Sequence, residues 1–173
     1  MKYYQFVALL FLVSYSCAPI RVTYDYDREA DFSKYKTYNY YSDMSTGLSE
    51  LDTKRLLDAL DKTLANQGFL ISSTPDFFID IKSHEYKESP RSRMNVGLGG
   101  SGRNLGGGVS IGVPVGQSNI NRMITFEFVD ENIKQLFWQA ISEASYGPNA
   151  TPEQRETLFE AIVLKVLSGY PPK

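Results

Sequence analysis

Apolar and polar residues alternate along several stretches of the chain, and this two-residue period is typical of β-strands that bury one face. Val22, Tyr24 and Tyr26 alternate with polar residues and predict a first strand. An aromatic run over residues 35–41 predicts a second strand. Further strands are predicted over residues 77–86, 124–129 and 136–141.

Two amphipathic helices are predicted by apolar residues that recur every three or four positions. Ser49 and Asp52 have the spacing of a capping box at the start of the first helix, and Gly68 is its expected stop. Thr151 and Gln154 have the same spacing at the start of the second helix. The apolar stripes are Leu56, Leu57, Leu60 and Leu64 in the first helix, and Leu158, Phe159, Ile162, Val163, Val166 and Leu167 in the second.

Residues 94–116 differ in composition from the rest of the chain. Nine of the thirteen glycines lie between Gly97 and Gly116. The stretch ends with β-branched residues that alternate with small ones, which predicts a long glycine-rich hairpin with a loose tip near residues 101–107.

The predicted order is strand, strand, helix, strand, glycine hairpin, two strands and helix. Strands that outnumber the helices and follow one another along the chain favour an α+β fold. We therefore expect a single domain over residues 21–173. It would have a mainly antiparallel sheet, with both amphipathic helices packed on one face.

Residues 1–16 are typical of a secretory signal peptide. Lys2 precedes an apolar run over residues 6–15, which is about half the ~20 residues that a membrane-spanning helix needs. The only cysteine, Cys17, follows directly, and the pattern resembles the lipobox of bacterial lipoproteins. Cleavage after Ser16 would leave Cys17 as the new N-terminus, carrying acyl chains such as palmitate.

Residues 17–20 would then form a lipidated tether at the outer membrane. The residue after the cysteine is Ala18 and not Asp, which by resemblance to sorted lipoproteins favours the outer membrane over retention in the inner one. Two alternatives stay open: a plain signal peptide that leaves a free thiol, and a cytosolic protein with a buried N-terminal helix.

Composition narrows the classes of function. Lys and Arg number 18 against 20 Asp and Glu, for a formal net charge of −2. This balance argues against a nucleic-acid partner, which would need a basic surface. One Cys and one His exclude a disulfide framework and a Cys/His zinc site.

The glycine-rich stretch contains two incomplete motifs. Residues 97–102 match G-x-G-x-x-G, but more glycine follows instead of a helix, so we expect no dinucleotide cofactor. Residues 99–103 depart from the nucleophile elbow G-x-S-x-G at Arg103. The only candidate base, His84, has polar neighbours and is expected on a strand surface, so we expect no catalytic residues here.

Acidic and aromatic side chains offer two further candidates. Asp25, Asp27, Glu29 and Asp31 could bind Ca²⁺ through their oxygens, but they lack EF-hand spacing, and solvated carboxylates without a metal are the favoured interpretation. A row of tyrosines could stack on sugar rings or contact a protein, whereas packing under the helices is the alternative. These tyrosines are Tyr24, Tyr26, Tyr35, Tyr38, Tyr40 and Tyr41.

Three stretches of the chain carry a family resemblance: the run VTYDYDREADFSKYKTYNYY after the lipobox, the late strand LFWQAI, and the closing helix that ends GYPPK. With these stretches the chain resembles one family of Gram-negative envelope lipoproteins, domain-of-unknown-function family 4136. The resemblance covers roughly residues 21–172. The resemblance implies an envelope location and this fold, and it transfers no catalytic residues.

We therefore expect an outer-membrane lipoprotein that faces the periplasm and has a non-enzymatic binding or scaffolding role. Its partners would be the membrane, through the lipid, and an envelope protein, through the sheet edge or the glycine hairpin. The alternative is a hydrolase or glycan-active enzyme that uses acidic residues. The candidate acids are Asp25, Asp27, Asp80 and Glu127.

Overall fold

The structure, a computed structural model, describes residues 20–87, 93–95, 112–114 and 120–172. The predicted signal peptide, Cys17 and most of the glycine-rich stretch lie outside these residues. The strands are β1 (Arg21–Tyr26), β2 (Thr37–Tyr40), β3 (Leu70–Ile71), β4 (Phe77–Lys87), β5 (Arg93–Asn95), β6 (Gly112–Pro114), β7 (Ile120–Asp130) and β8 (Leu136–Tyr146), and the helices are α1 (Glu50–Asn66) and α2 (Pro152–Leu167).

Six strands form a mixed sheet in the order β1-β8-β7-β4-β2-β3. The pairs β1–β8, β8–β7 and β7–β4 are antiparallel, whereas β2 is parallel to both β4 and β3. The prediction of a mainly antiparallel sheet is therefore wrong, although the α+β class is confirmed. The reason is that α1 crosses over from β2 to β3 and returns the chain in the same direction, and β4, which follows β3, also runs parallel to β2.

Both helices pack on one face of the sheet. The hydroxyl of Tyr38 on β2 donates to Asp61 of α1 at 2.8 Å, and the hydroxyl of Tyr24 on β1 donates to the Lys165 carbonyl of α2 at 2.6 Å. Alternate strand residues point into the space beneath the helices, which fixes the register of the sheet. The buried helix residues are Asp52, Leu56, Ala59, Leu60 and Leu64 in α1, and Phe159, Ile162, Val163, Val166 and Leu167 in α2.

The predicted helix starts are confirmed at both caps. The Ser49 side chain accepts the Asp52 amide at 3.3 Å, while Thr151 and Gln154 form a full capping box. The Asp52 carboxylate does not accept the second hydrogen bond of a capping box, from the Ser49 amide, because it binds Tyr146 and Arg155 in the interior. Gly68 follows α1 with φ of 91°, a conformation that glycine adopts without steric cost.

A buried carboxylate holds the predicted turn between β7 and β8. Asp130 is fully buried. Its side chain accepts hydrogen bonds from Lys34 Nζ at 2.7 Å, from the Tyr35 hydroxyl at 2.8 Å and from the Asn132 amide at 2.8 Å. Burial raises the pKa of Asp130, but these hydrogen bonds outweigh burial and hold the pKa at about 2. The carboxylate therefore stays ionised and fastens this turn to the segment before β2.

The end of the chain closes on the first strand. Lys165 Nζ donates to the Ile20 carbonyl at 2.5 Å, and Trp138 Nε1 donates to the Gly169 carbonyl at 3.3 Å. A Cβ atom at Gly169 would overlap the ring of Tyr24, so only glycine fits this contact. The residues after α2 are thus packed against β1 and β8.

The predicted glycine hairpin falls mostly outside the described residues. β5 and β6 pair antiparallel, with Asn95 opposite Gly112. Residues 96–111, between these strands, are not described, so the long hairpin stays a prediction. Within the described part of the chain, no helix has both the length and the apolar character needed to cross a membrane.

Leu60→Ala and Ile162→Ala should each lower the free energy of unfolding by about 2–5 kcal/mol, because both side chains are buried and a cavity would remain. The measurement is urea unfolding followed by circular dichroism. Leu164→Ala is the control, since Leu164 is 60% exposed on α2. An effect at Leu164 equal to the effects at the two buried sites would contradict the assigned helix faces.

Candidate functional site

The face of the sheet away from the helices carries a row of polar side chains from four adjacent strands. Asp25, Gln139, Glu127 and Asp80 are neighbours across β1, β8, β7 and β4. Lys82 Nζ lies 2.8 Å from Asp80 and 3.0 Å from Glu127. The hydrogen bonds to Asp80 and Glu127 raise the pKa of Lys82 to about 12. Two of the four candidate hydrolase acids are thus bound to one ammonium group.

The other two candidate acids lie in a cleft of about 250 Å³ at the end of β1. Asp25, Tyr26 and Asp27 line it together with residues 136–139. The Asp25 side chain accepts the Tyr26 amide at 2.9 Å, and the Asp27 side chain accepts the Glu29 amide at 2.9 Å. The structure therefore brings Asp25 and Asp27 to one cleft, at the β1 end of the polar row.

Two of the acids considered for Ca²⁺, Asp27 and Asp31, accept hydrogen bonds within local turns. Asp31 accepts the amide and the hydroxyl of Ser33, at 3.0 and 2.6 Å, and so caps the short 3₁₀ turn at Phe32–Lys34. Within the described ranges, no group of three or more His, Cys, Asp or Glu residues could hold a metal ion. His84 lies exposed on β4 opposite Met123, at the surface position expected for it.

Most of the tyrosine row packs under the helices. Tyr35 and Tyr38 are buried, and the hydroxyls of Tyr38 and Tyr40 both donate to Asp61. Tyr26 is 41% exposed, while Tyr41 stacks on a phenylalanine of β4, with ring centroids 4.8 Å apart. The aromatic strands therefore serve the core, with Tyr26 as the main exposed member.

β1 is an edge strand, and its outer side pairs with no other strand in the described part of the chain. Asp27 N donates to the Phe137 carbonyl at 3.0 Å, and hydrogen-bonded pairs alternate along an antiparallel ladder. By this alternation, the main-chain groups of Val22 and Tyr24 point away from β8. Another strand could pair with β1 at these positions.

A second polar group lies in the interior, where the two helices begin. The Asp52 side chain is 3% exposed. It accepts hydrogen bonds from Arg55 Nη1 at 2.9 Å, from Arg155 Nη1 at 2.9 Å and from the Tyr146 hydroxyl at 2.8 Å. It joins α1, α2 and β8. We call this group the arginine cluster, which consists of Asp52, Arg55, Glu85, Arg122, Tyr146 and Arg155.

Arg122 is the buried cation of the arginine cluster. It is 8% exposed, its Nη2 donates to Glu85, and its guanidinium lies 4.5 Å from the centre of the Tyr146 ring. The Arg155 guanidinium lies 4.8 Å from the centre of the same ring. Burial lowers the pKa of Arg122, nearby Asp52 raises it, and Arg155 lowers it.

The sequence contained a signal for this cluster that the motif search missed. Asp52 lies four residues before Leu56 on the apolar stripe of α1, and Arg155 lies four residues before Phe159 on that of α2. Arg122 likewise continues the inward alternation of β7. A charged residue at a position where the pattern predicts an apolar one indicates a buried polar group.

Residues 22–172 match the family described as a domain of unknown function, DUF4136. The chain belongs to this family. The match begins within β1 and extends past α2, so it covers both the sheet and the helices. The family resemblance predicted from the sequence is confirmed. Among curated proteins, none matches the chain.

Solved structures share the fold at low sequence identity. A PDZ domain protein from Parabacteroides distasonis has a TM-score of 0.57 and 10% identity, over 98% of this chain and 40% of that chain. The DUF4136 chain therefore spans less than half the length of that protein. PelC from Paraburkholderia phytofirmans, solved as a dodecamer, has a TM-score of 0.51 and 12% identity, over 87% of this chain and 95% of PelC. A second crystal form of the PelC dodecamer gives 0.51 and 13%.

Asp52→Ala should lower the free energy of unfolding by about 3–5 kcal/mol, because it leaves two guanidinium groups without their carboxylate. Asp58→Ala is the matched control on the same helix. Its ion pair with Lys54 is exposed, so the change should stay within about 1 kcal/mol. Urea unfolding of both variants measures the difference, and an Asp52 effect as small as the control would contradict the structural role of the cluster.

Proposed function

We propose that this DUF4136 protein is an outer-membrane lipoprotein that faces the periplasm and acts by contact rather than by catalysis. Support comes from the apolar run over residues 6–15, followed directly by Cys17, the only cysteine of the chain. Ala18 at the next position favours the outer membrane. Acyl chains on Cys17 would hold the domain stably, because two or more chains give lasting attachment where one is marginal.

The short tether limits where the domain can sit. Three residue steps separate Cys17 from Ile20, and an extended chain spans at most about 3.6 Å per residue. The Ile20 carbonyl accepts Lys165 Nζ at 2.5 Å. If Cys17 is acylated, Ile20 must lie within about 11 Å of the anchoring cysteine, and the start of β1 and the Lys165 side chain at the end of α2 lie next to Ile20.

The contact that we propose is strand addition at the free edge of β1, with a second copy of this chain as the partner. The single observation that carries this proposal is the outward direction of the main-chain groups of Val22 and Tyr24. Strand addition supplies affinity through main-chain hydrogen bonds. PelC, which shares the fold, was solved as a dodecamer, and this supports assembly among copies of such domains.

Cys17→Ala should release the protein from the membrane fraction into the soluble envelope fraction, because the acyl chains would have no attachment point. Ala18→Asp provides a second arm: it should leave the protein lipidated but retained in the inner membrane. Fractionation followed by immunoblotting measures both. A Cys17→Ala protein that stays membrane-bound would rule out the anchor, and an unchanged location of Ala18→Asp would rule out the sorting argument.

Val22→Pro should weaken self-association by about tenfold or more, because proline removes an outward N–H without breaking a bond to β8. Val22→Ala controls for the lost side-chain packing. Light scattering coupled to gel filtration measures the mass of each protein across a dilution series. A monomeric wild type, or equal association of both variants, would show that the β1 edge does not join two copies.

A further inference from the structure

The arginine cluster lies where two helix starts meet at one end of the sheet. Asp52 lies in the first turn of α1, and Arg155 lies in the first turns of α2. The helices run in the same direction, since the Lys62–Glu160 ion pair joins them further along. Each helix start carries a partial positive charge of about half a unit, which favours anions.

The charged side chains of the arginine cluster leave a positive excess in its buried part. Arg55, Arg122 and Arg155 supply three largely buried guanidinium groups, and Asp52 supplies the one buried carboxylate. The carboxylates of Glu85 and of Glu153, which acts on Arg55, lie on the solvent side. The Glu85 side chain is 48% exposed, so solvent screens part of its charge. The buried end of the arginine cluster is therefore electropositive.

Two donor nitrogens of Arg122 have no acceptor among the residues that the structure describes. Its Nη2 donates to Glu85, but Nε and Nη1 are buried and have no hydrogen-bond partner in the structure. The side chain is 9% exposed. A buried donor left unpaired is costly, and more so when it carries charge. Such donors indicate that an acceptor is missing.

We propose that the arginine cluster binds a phosphate group, whose oxygens accept the free donors of Arg122. A phosphate oxygen has the charge that the guanidinium excess and the two helix starts favour. The half-exposed carboxylate of Glu85 accepts a hydrogen bond from Nη2 of the Arg122 guanidinium. The phosphate would therefore enter from the Glu85 side and compete with that carboxylate.

Titration calorimetry of the purified full-length chain with inorganic phosphate, at constant ionic strength, tests the proposal. We expect saturable binding at one site. Arg122→Gln should weaken it by at least about tenfold, because charged hydrogen bonds are lost. Lys82→Gln is the control: Lys82 is an exposed cation that bridges two acids on the other face, and its loss should leave phosphate affinity unchanged.

Glu85→Gln gives a test that does not depend on the folding of Arg122→Gln. Removing the competing charge at this half-exposed position should raise the affinity for phosphate by a few-fold. Glycerol 3-phosphate, a mimic of a lipid headgroup, distinguishes the sources: tighter binding than inorganic phosphate supports a headgroup, and weaker binding supports the free ion. Absence of saturable binding, or equal affinities in wild type, Arg122→Gln and Glu85→Gln, would overturn the proposal.

Discussion

The carboxylate of Asp52 is the interaction on which the arrangement of the helices depends. It accepts hydrogen bonds from a residue of its own helix, from α2 and from the end of β8, and it is almost fully buried. A buried carboxylate with fewer partners would be strongly unfavourable, so these three donors must arrive together. The two helix starts are thereby fixed relative to each other and to the sheet.

Because both helices cover the same face, the sheet presents two different surfaces. The inner surface is apolar and aromatic, and it contains Trp138 and Phe128, with ring centroids 4.6 Å apart. The outer surface carries the row centred on Lys82, whose charges pair with one another across strands. Side chains on the outer surface can therefore vary with little effect on the core, whereas the inner ones cannot.

Local patterns in the sequence predicted most elements, because caps and alternation depend on residues close together in the chain. Ser49, Gly68 and Thr151 mark helix ends where the structure has them. The direction of β2 could not be predicted in this way. Alternation marks its four residues as a strand, but it does not show whether the strand runs parallel or antiparallel to its neighbours. The arginine cluster was missed for a related reason: Asp52 and Arg155 are 103 residues apart, and only the tertiary fold brings them together.

The closure of the chain end on β1 has a mechanical consequence. Tyr24 packs against Gly169, and Lys165 holds the Ile20 carbonyl, so a pull on the N-terminal segment loads α2 as well as the β1–β8 ladder. The force would be shared between α2 and the sheet, and it would not simply peel β1 away from β8. A domain attached at this corner can thus bear tension without first losing its edge strand, β1.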